Sequence, residues 1–108
     1  MRLSEIKDAL GLEILLGSPD CEIAGAYTSD LLSDVMAHAN EGDALITIQA
    51  HNNTVAVASH VDAPAIIICS NRPIPESMTD AAHEHDIVLC RTELNQFQVS
   101  GIIYAALR

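Results

Sequence analysis

"ALITIQ" (Ala44 to Gln49), "AIIICS" (Ala65 to Ser70) and "DIVLCR" (Asp86 to Arg91) begin 21 residues apart each time. Each is a short apolar run rich in β-branched residues, followed by polar residues and then a helix-compatible stretch, as in successive βα units. Their hydrophobicity is continuous rather than alternating, which suits parallel strands buried on both faces. The rhythm predicts parallel strands near residues 44–49, 65–69 and 86–90. The fold class is α/β: a small single-domain sandwich with a mainly parallel sheet.

Between the first two runs lies "NNTVAVASHVD", Asn52 to Asp62. Its alternation, and the Asn52-Asn53 pair, would also suit a hairpin. A parallel crossover needs ten or so residues, and no other segment can supply it, so a helix is expected. Pro75 to His85 reads as a second helix, with Pro75 near its first turn. Glu93 to Leu107 reads as the last, capped by Thr92 and carrying Leu94, Phe97, Gly101 and Tyr104 on one face. Upstream, "LSEIKDALG" is a short helix with Ser4 as its N-cap and Gly11 at its end. "EILL" and "CEIAGAY" are strand candidates flanking the Gly17-Ser18-Pro19-Asp20 turn.

"AGAYTSDLLSDVMAHA", Ala24 to Ala39, runs from that strand into a helix expected from about Asp30. Leu32, Val35, Met36 and Ala39 form its apolar stripe. Asp30 and Asp34 would then share a face, which weakens a helix, although first-turn carboxylates complement the dipole and His38 stands one turn further on. An acidic ridge there could also pair with Arg72 or Arg91. An Asp-Asp-His metal ladder lacks the usual ligand spacing, and His83-Glu84-His85 places its imidazoles on different sides of a helix end.

Five basic residues face fifteen acidic ones, a net charge of -10. That field, with only three aromatic residues, excludes nucleic acid and anionic membrane as partners. No apolar run is long enough to span a bilayer and no signal pattern opens the chain, so a cytoplasmic protein is expected. Cys21, Cys69 and Cys90 are odd in number and widely spaced, as suits small buried hydrophobes in a reducing compartment. The only lysine is Lys7, and no P-loop, GxGxxG turn or GxSxG elbow is present. No cofactor is indicated, and phosphoryl transfer by this chain is not expected.

Ligands of open α/β sheets bind beyond the carboxyl ends of the strands. Those ends are polar here: Thr28, Ser29 and Asp30 after the second strand, and Gln49, His51 and Asn53 after the third. Ser70 and Arg72 follow the fourth, Arg91 and Thr92 the fifth. Two of five basic residues at neighbouring strand ends, beside helix N-termini, form a candidate site for a small anion. The competing account is that Asn53, Ser70 and Thr92 merely cap helices. A Cys-His nucleophile pair, Cys69 or Cys90 with His51, would fall at the same edge without a local motif to support it.

The run from Gly25 through Ser59, with "APAIIIC" and the closing helix, resembles DRTGG-domain proteins, and "SDLLSDVMA" is its most specific part. The literal Asp-Arg-Thr-Gly-Gly string is absent, and Gly25-Ala26-Tyr27 stands nearest to it. The resemblance implies an α/β module like the N-terminal domains of HPr kinase and Mur ligases, usually dimeric, found alone or fused to CBS pairs, phosphotransacetylases or pyrophosphatases. It supplies no catalytic residues. The expectation is a non-catalytic regulatory domain, homodimeric, sensing a small anionic metabolite or nucleotide. The alternatives are a purely structural dimerisation module, and a small hydrolase or transferase using strand-end His, Cys and Asp residues.

Overall fold

The computed structural model describes all 108 residues. A 3-10 turn at Leu3–Glu5 leads into α1 (Lys7–Leu10), which ends at Gly11 with a left-handed backbone. Next come β1 (Glu13–Leu16), β2 (Gly25–Thr28), α2 (Leu32–His38) and β3 (Asp43–Thr47). Then follow α3 (Asn52–His60), β4 (Ala65–Ile68), α4 (Glu76–Glu84), β5 (Val88–Arg91) and α5 (Gln96–Leu107).

The five strands form one sheet in the order β1-β5-β4-β3-β2. Strands β2 to β5 are parallel, each beside its successor, and the apolar rhythm is that of β3, β4 and β5. Asn52–His60 is the crossover helix, not the arm of a hairpin. Strand β1 is antiparallel to β5, with Glu13 opposite Arg91. The two strands flanking the Gly17 turn thus end on opposite edges of the sheet. Gly25 starts β2 over the Asp43 carboxylate, where a Cβ would come within 2.7 Å of Oδ1.

Crossovers that all step one way put their helices on one face. Val35 of α2, Val55 and Ala58 of α3, and Met78 and Ala82 of α4 cover Leu45, Ile66, Ile68 and Leu89. Leu3, Leu10, Val99 and Ile103 cover Ala44, Ile46, Ile67 and Cys90 on the other. The result is three layers, with α1 and α5 on one side and α2, α3 and α4 on the other. The central strands are fully buried, which is why they read as unbroken apolar runs.

Several local expectations are corrected. Ser4 lies inside the 3-10 turn, which starts after Arg2, and α1 starts after Ile6, so Ser4 caps neither. Helix α2 starts at Leu32, so Asp30 lies before it and shares no helix face with Asp34. Met36 is half exposed, because only the Val35 side of this short helix reaches the sheet. Helix α5 starts at Gln96, capped by Asn95 rather than Thr92, and it buries Val99 and Ile103. Phe97 and Tyr104 face outward.

Candidate ligand site at the carboxyl ends of the strands

The strand-end residues divide into two groups. Asp30 organises the first, at the ends of β2 and β3. Its Oδ1 accepts from the Thr47 hydroxyl (2.9 Å), the Ile48 N–H (3.0 Å) and Gln96 Nε2 (2.9 Å). Gln49 Nε2 donates to the Asp30 carbonyl, and the Gln49 carbonyl accepts from Thr54. Thr28 bonds Ser100, and the Ser29 hydroxyl accepts from the Leu31 N–H. Here the carboxylate is a clasp joining β3 to α5. Gln96, its third donor, gave no signal in the sequence, being 66 residues from Asp30.

The second group surrounds Arg91. Its Nη2 meets Glu13 Oε1 at 2.8 Å and its Nη1 donates to the Arg72 carbonyl at 3.3 Å. The expected pairing of either arginine with Asp30 or Asp34 does not occur. Antiparallel β1 places Glu13 directly against Arg91, whereas the aspartates belong to the far edge of the sheet. Thr92 is buried, and its hydroxyl donates to the Leu10 carbonyl (2.6 Å) and accepts from the Leu94 N–H. Arg72 is exposed and forms no ion pair.

Between α1, β5 and the turn after β4 lies a cavity of about 390 Å³, lined by Asp8, Gly11, Glu13, Asn71, Arg91 and Glu93 among others. It opens where the sheet changes direction, between β5 and antiparallel β1. Parallel strands that all step one way leave no strand-order reversal elsewhere to open a crevice. Asn71, which lines it, and Ser70 just before it in the chain hold left-handed backbone (φ 50° and 60°), a conformation costing a non-glycine residue roughly 1–2 kcal/mol. Their N–H groups are held by the Leu94 and Thr92 carbonyls. His51 and Asn53 stand exposed at the start of α3, where Nδ1 of His51 accepts from the Asn53 N–H. His51, not Asn53, is the cap.

Asp34 belongs to neither group. The Tyr27 hydroxyl donates to its Oδ2 at 2.7 Å, and His38 Nδ1 lies 3.0 Å from Oδ1. The Tyr27 bond, with smaller contributions from Ser29 and His38, holds the Asp34 carboxyl below its ordinary value of 3.8. The same bond raises the Tyr27 phenol above 10.0. A depressed carboxyl stabilises the fold above its unfolded value, and that gain is lost as pH falls through the folded value. Wild type should therefore melt above Tyr27→Phe at neutral pH, with the gap closing below pH 3.8. Melting curves by circular dichroism check this, and a gap that persists in acid would refute it.

Burial pushes the Cys69 thiol up to about 11, the Asp30 charge adding to it, and the Cys90 thiol up to about 12. Cys21, half-buried, is raised by burial as well. Thiols held protonated are poor nucleophiles. His83 and His85 lie exposed at the end of α4. No helix is long and apolar enough to cross a membrane.

Fold and site together define a three-layer α/β module with a polar cavity at the carboxyl end of its sheet. Among solved structures it resembles the crystal structure of the CBS and DRTGG domains of the regulatory region of Clostridium perfringens pyrophosphatase, complexed with its activator diadenosine tetraphosphate. The TM-score is 0.74 with 17% sequence identity, over 94% of this chain and 45% of that one. The present chain thus spans under half of the neighbour's length. At this identity the likeness is one of fold, and the fold is DRTGG-like. No family model matches the sequence, and no curated protein does.

Proposed function

We propose that this domain is a non-catalytic regulatory module, working as a cytoplasmic homodimer, that senses a small phosphorylated ligand of the nucleotide class. The observation that carries the reading is the cavity of about 390 Å³ with an unpaired arginine, Arg72, next to its rim. A nucleotide has two kinds of recognition group. Phosphate oxygens suit the guanidinium of Arg72, whose fork matches tetrahedral oxyanions. Ribose hydroxyls and a base amine are donors, and suit the carboxylates of Asp8, Glu13 and Glu93. A purely anionic ligand would be repelled by those three groups.

The net charge of -10 does not forbid this. Screening over about 8–10 Å at physiological salt leaves the nearest groups in control. Strain on Ser70 and Asn71 also supports a ligand turn, since such strain gathers at binding sites. The neighbour's regulatory region is complexed with a nucleotide activator, which agrees with the reading. Its non-catalytic character is supported by the high thiol values and by Asp30 being spent on structure. Three unpaired cysteines suit a reducing compartment.

The test is a calorimetric titration of diadenosine tetraphosphate into wild type and Arg72→Ala. Wild type should bind. Arg72→Ala should bind roughly ten- to a hundredfold more weakly, the range for a hydrogen bond to a charged group. Its melting temperature should be unchanged, because the Arg72 side chain holds nothing in the fold. Equal binding by both proteins, or none by wild type, would overturn the reading.

A further inference from the structure

Helix α5 carries an exposed apolar stripe. Phe97 is 85% exposed and Tyr104 68% exposed, with Leu107 at 37% one turn beyond. Between α5 and the edge strand β2 runs a groove of about 420 Å³, with Ala26 and Ile46 also lining it. Phe97, Gly101 and Tyr104 stand at i, i+4 and i+7, one line along the helix. A Cβ added at Gly101 would meet nothing within 4 Å. Glycine inside a helix is unfavourable relative to alanine, and nothing in this chain packs against it to require one.

We infer that the groove between α5 and β2 is the homodimer interface, with each copy's Phe97 and Tyr104 rings seated around the other's Gly101 notch. This rests on the homodimer reading above and names the surface it uses. Three observations select a second copy as the occupant. The first is charge. Two chains of net charge -10 repel, which favours contact through a face where the nearest groups are neutral, and every side chain lining this groove is uncharged.

The second is self-complementarity. A two-fold contact needs one patch to be both knob and hole. A notch between two projecting rings on one helix stripe meets that condition, and a glycine lets the backbones approach closely. The third is area. At ~150–250 Å² per aromatic side chain, the two rings leave roughly 300 Å² uncovered per copy. With Leu107 and the groove floor, a pair of copies approaches about 1,000 Å², the size a specific interface needs.

The experiment is light scattering at tens of micromolar on wild type, Gly101→Glu, Phe97→Ser and the control Ala56→Glu, which adds the same charge to an exposed site on α3. Circular dichroism confirms that each variant is folded. Wild type and Ala56→Glu should be dimers. Gly101→Glu and Phe97→Ser should be monomers, the dissociation constant rising at least about thirtyfold as at an interface hot spot. Gly101→Glu should still bind diadenosine tetraphosphate like wild type. Dimers that persist in both α5 variants would overturn this surface and leave the homodimer intact. A wild-type monomer would overturn both.

Discussion

Asp30→Ala is expected to cost about 2–3 kcal/mol of folding stability, the range for hydrogen bonds to a charged group and for donors left without a partner. One carboxylate oxygen takes three donors from two elements: Thr47 and Ile48 at the end of β3, and Gln96 in the first turn of α5. Thr47 is completely buried, so its hydroxyl would have no water to turn to. Asp30→Asn keeps an acceptor oxygen and loses only the charge, and should cost less than half as much. Urea denaturation monitored by circular dichroism separates the two through their midpoints, provided the slope is unchanged. Equal costs for both variants would mean that charge rather than acceptor geometry holds α5 to the sheet.

Ile67→Ala should be costlier, about 3–4 kcal/mol within the range for large-to-small core changes. Ile67 is fully buried in the central strand, paired with Ile46 on one side and Cys90 on the other. Its side chain faces the α1 and α5 layer. Central strands cannot relax towards solvent, so the cavity left behind would persist and add to the lost transfer energy. The same denaturation experiment reads the result. A loss below about 1 kcal/mol would mean that this layer is loosely packed and that the sheet is anchored by α2, α3 and α4 alone.

Three of the parallel strands were legible in the sequence because each is buried on both faces and carries its own apolar run. The helical reading of Asn52 to Asp62 followed from chain connectivity, not from its own pattern, since "TVAVAS" alternates like a strand. The partner of β1 was not legible. Glu13 and Arg91 meet across 78 residues of chain, and nothing local to either announces the other. That pairing diverted Arg91 from the ridge at Asp30 and Asp34 and opened the cavity between β5 and β1.

The inward face of α5 was hidden for a different reason. "QFQVSGIIYAAL" is apolar around most of its circumference, so periodicity does not select a side. The buried side proved to be Val99 and Ile103, and the aromatic stripe became the exposed one. Asp30 was expected to open α2, which starts two residues later at Leu32. Its carboxylate reaches strand and helix partners that exist only after folding, which answers how two aspartates four residues apart avoid repelling each other. They face different neighbours, Asp30 towards β3 and Asp34 towards Tyr27.

The proposed phosphorylated ligand is read at the carboxyl end of the sheet, beside Arg72. The most direct measurement is a titration of nitrogen-15-labelled protein with diadenosine tetraphosphate, followed through its amide resonances. Saturable shifts are expected at Gly11, Ser70, Asn71, Arg72 and Arg91, the residues in and beside the strand-end cavity. The opposite end of the sheet, around Gly17, Cys21 and His83, should stay still. Shifts concentrated at that opposite end, or no shifts at saturating ligand, would contradict it.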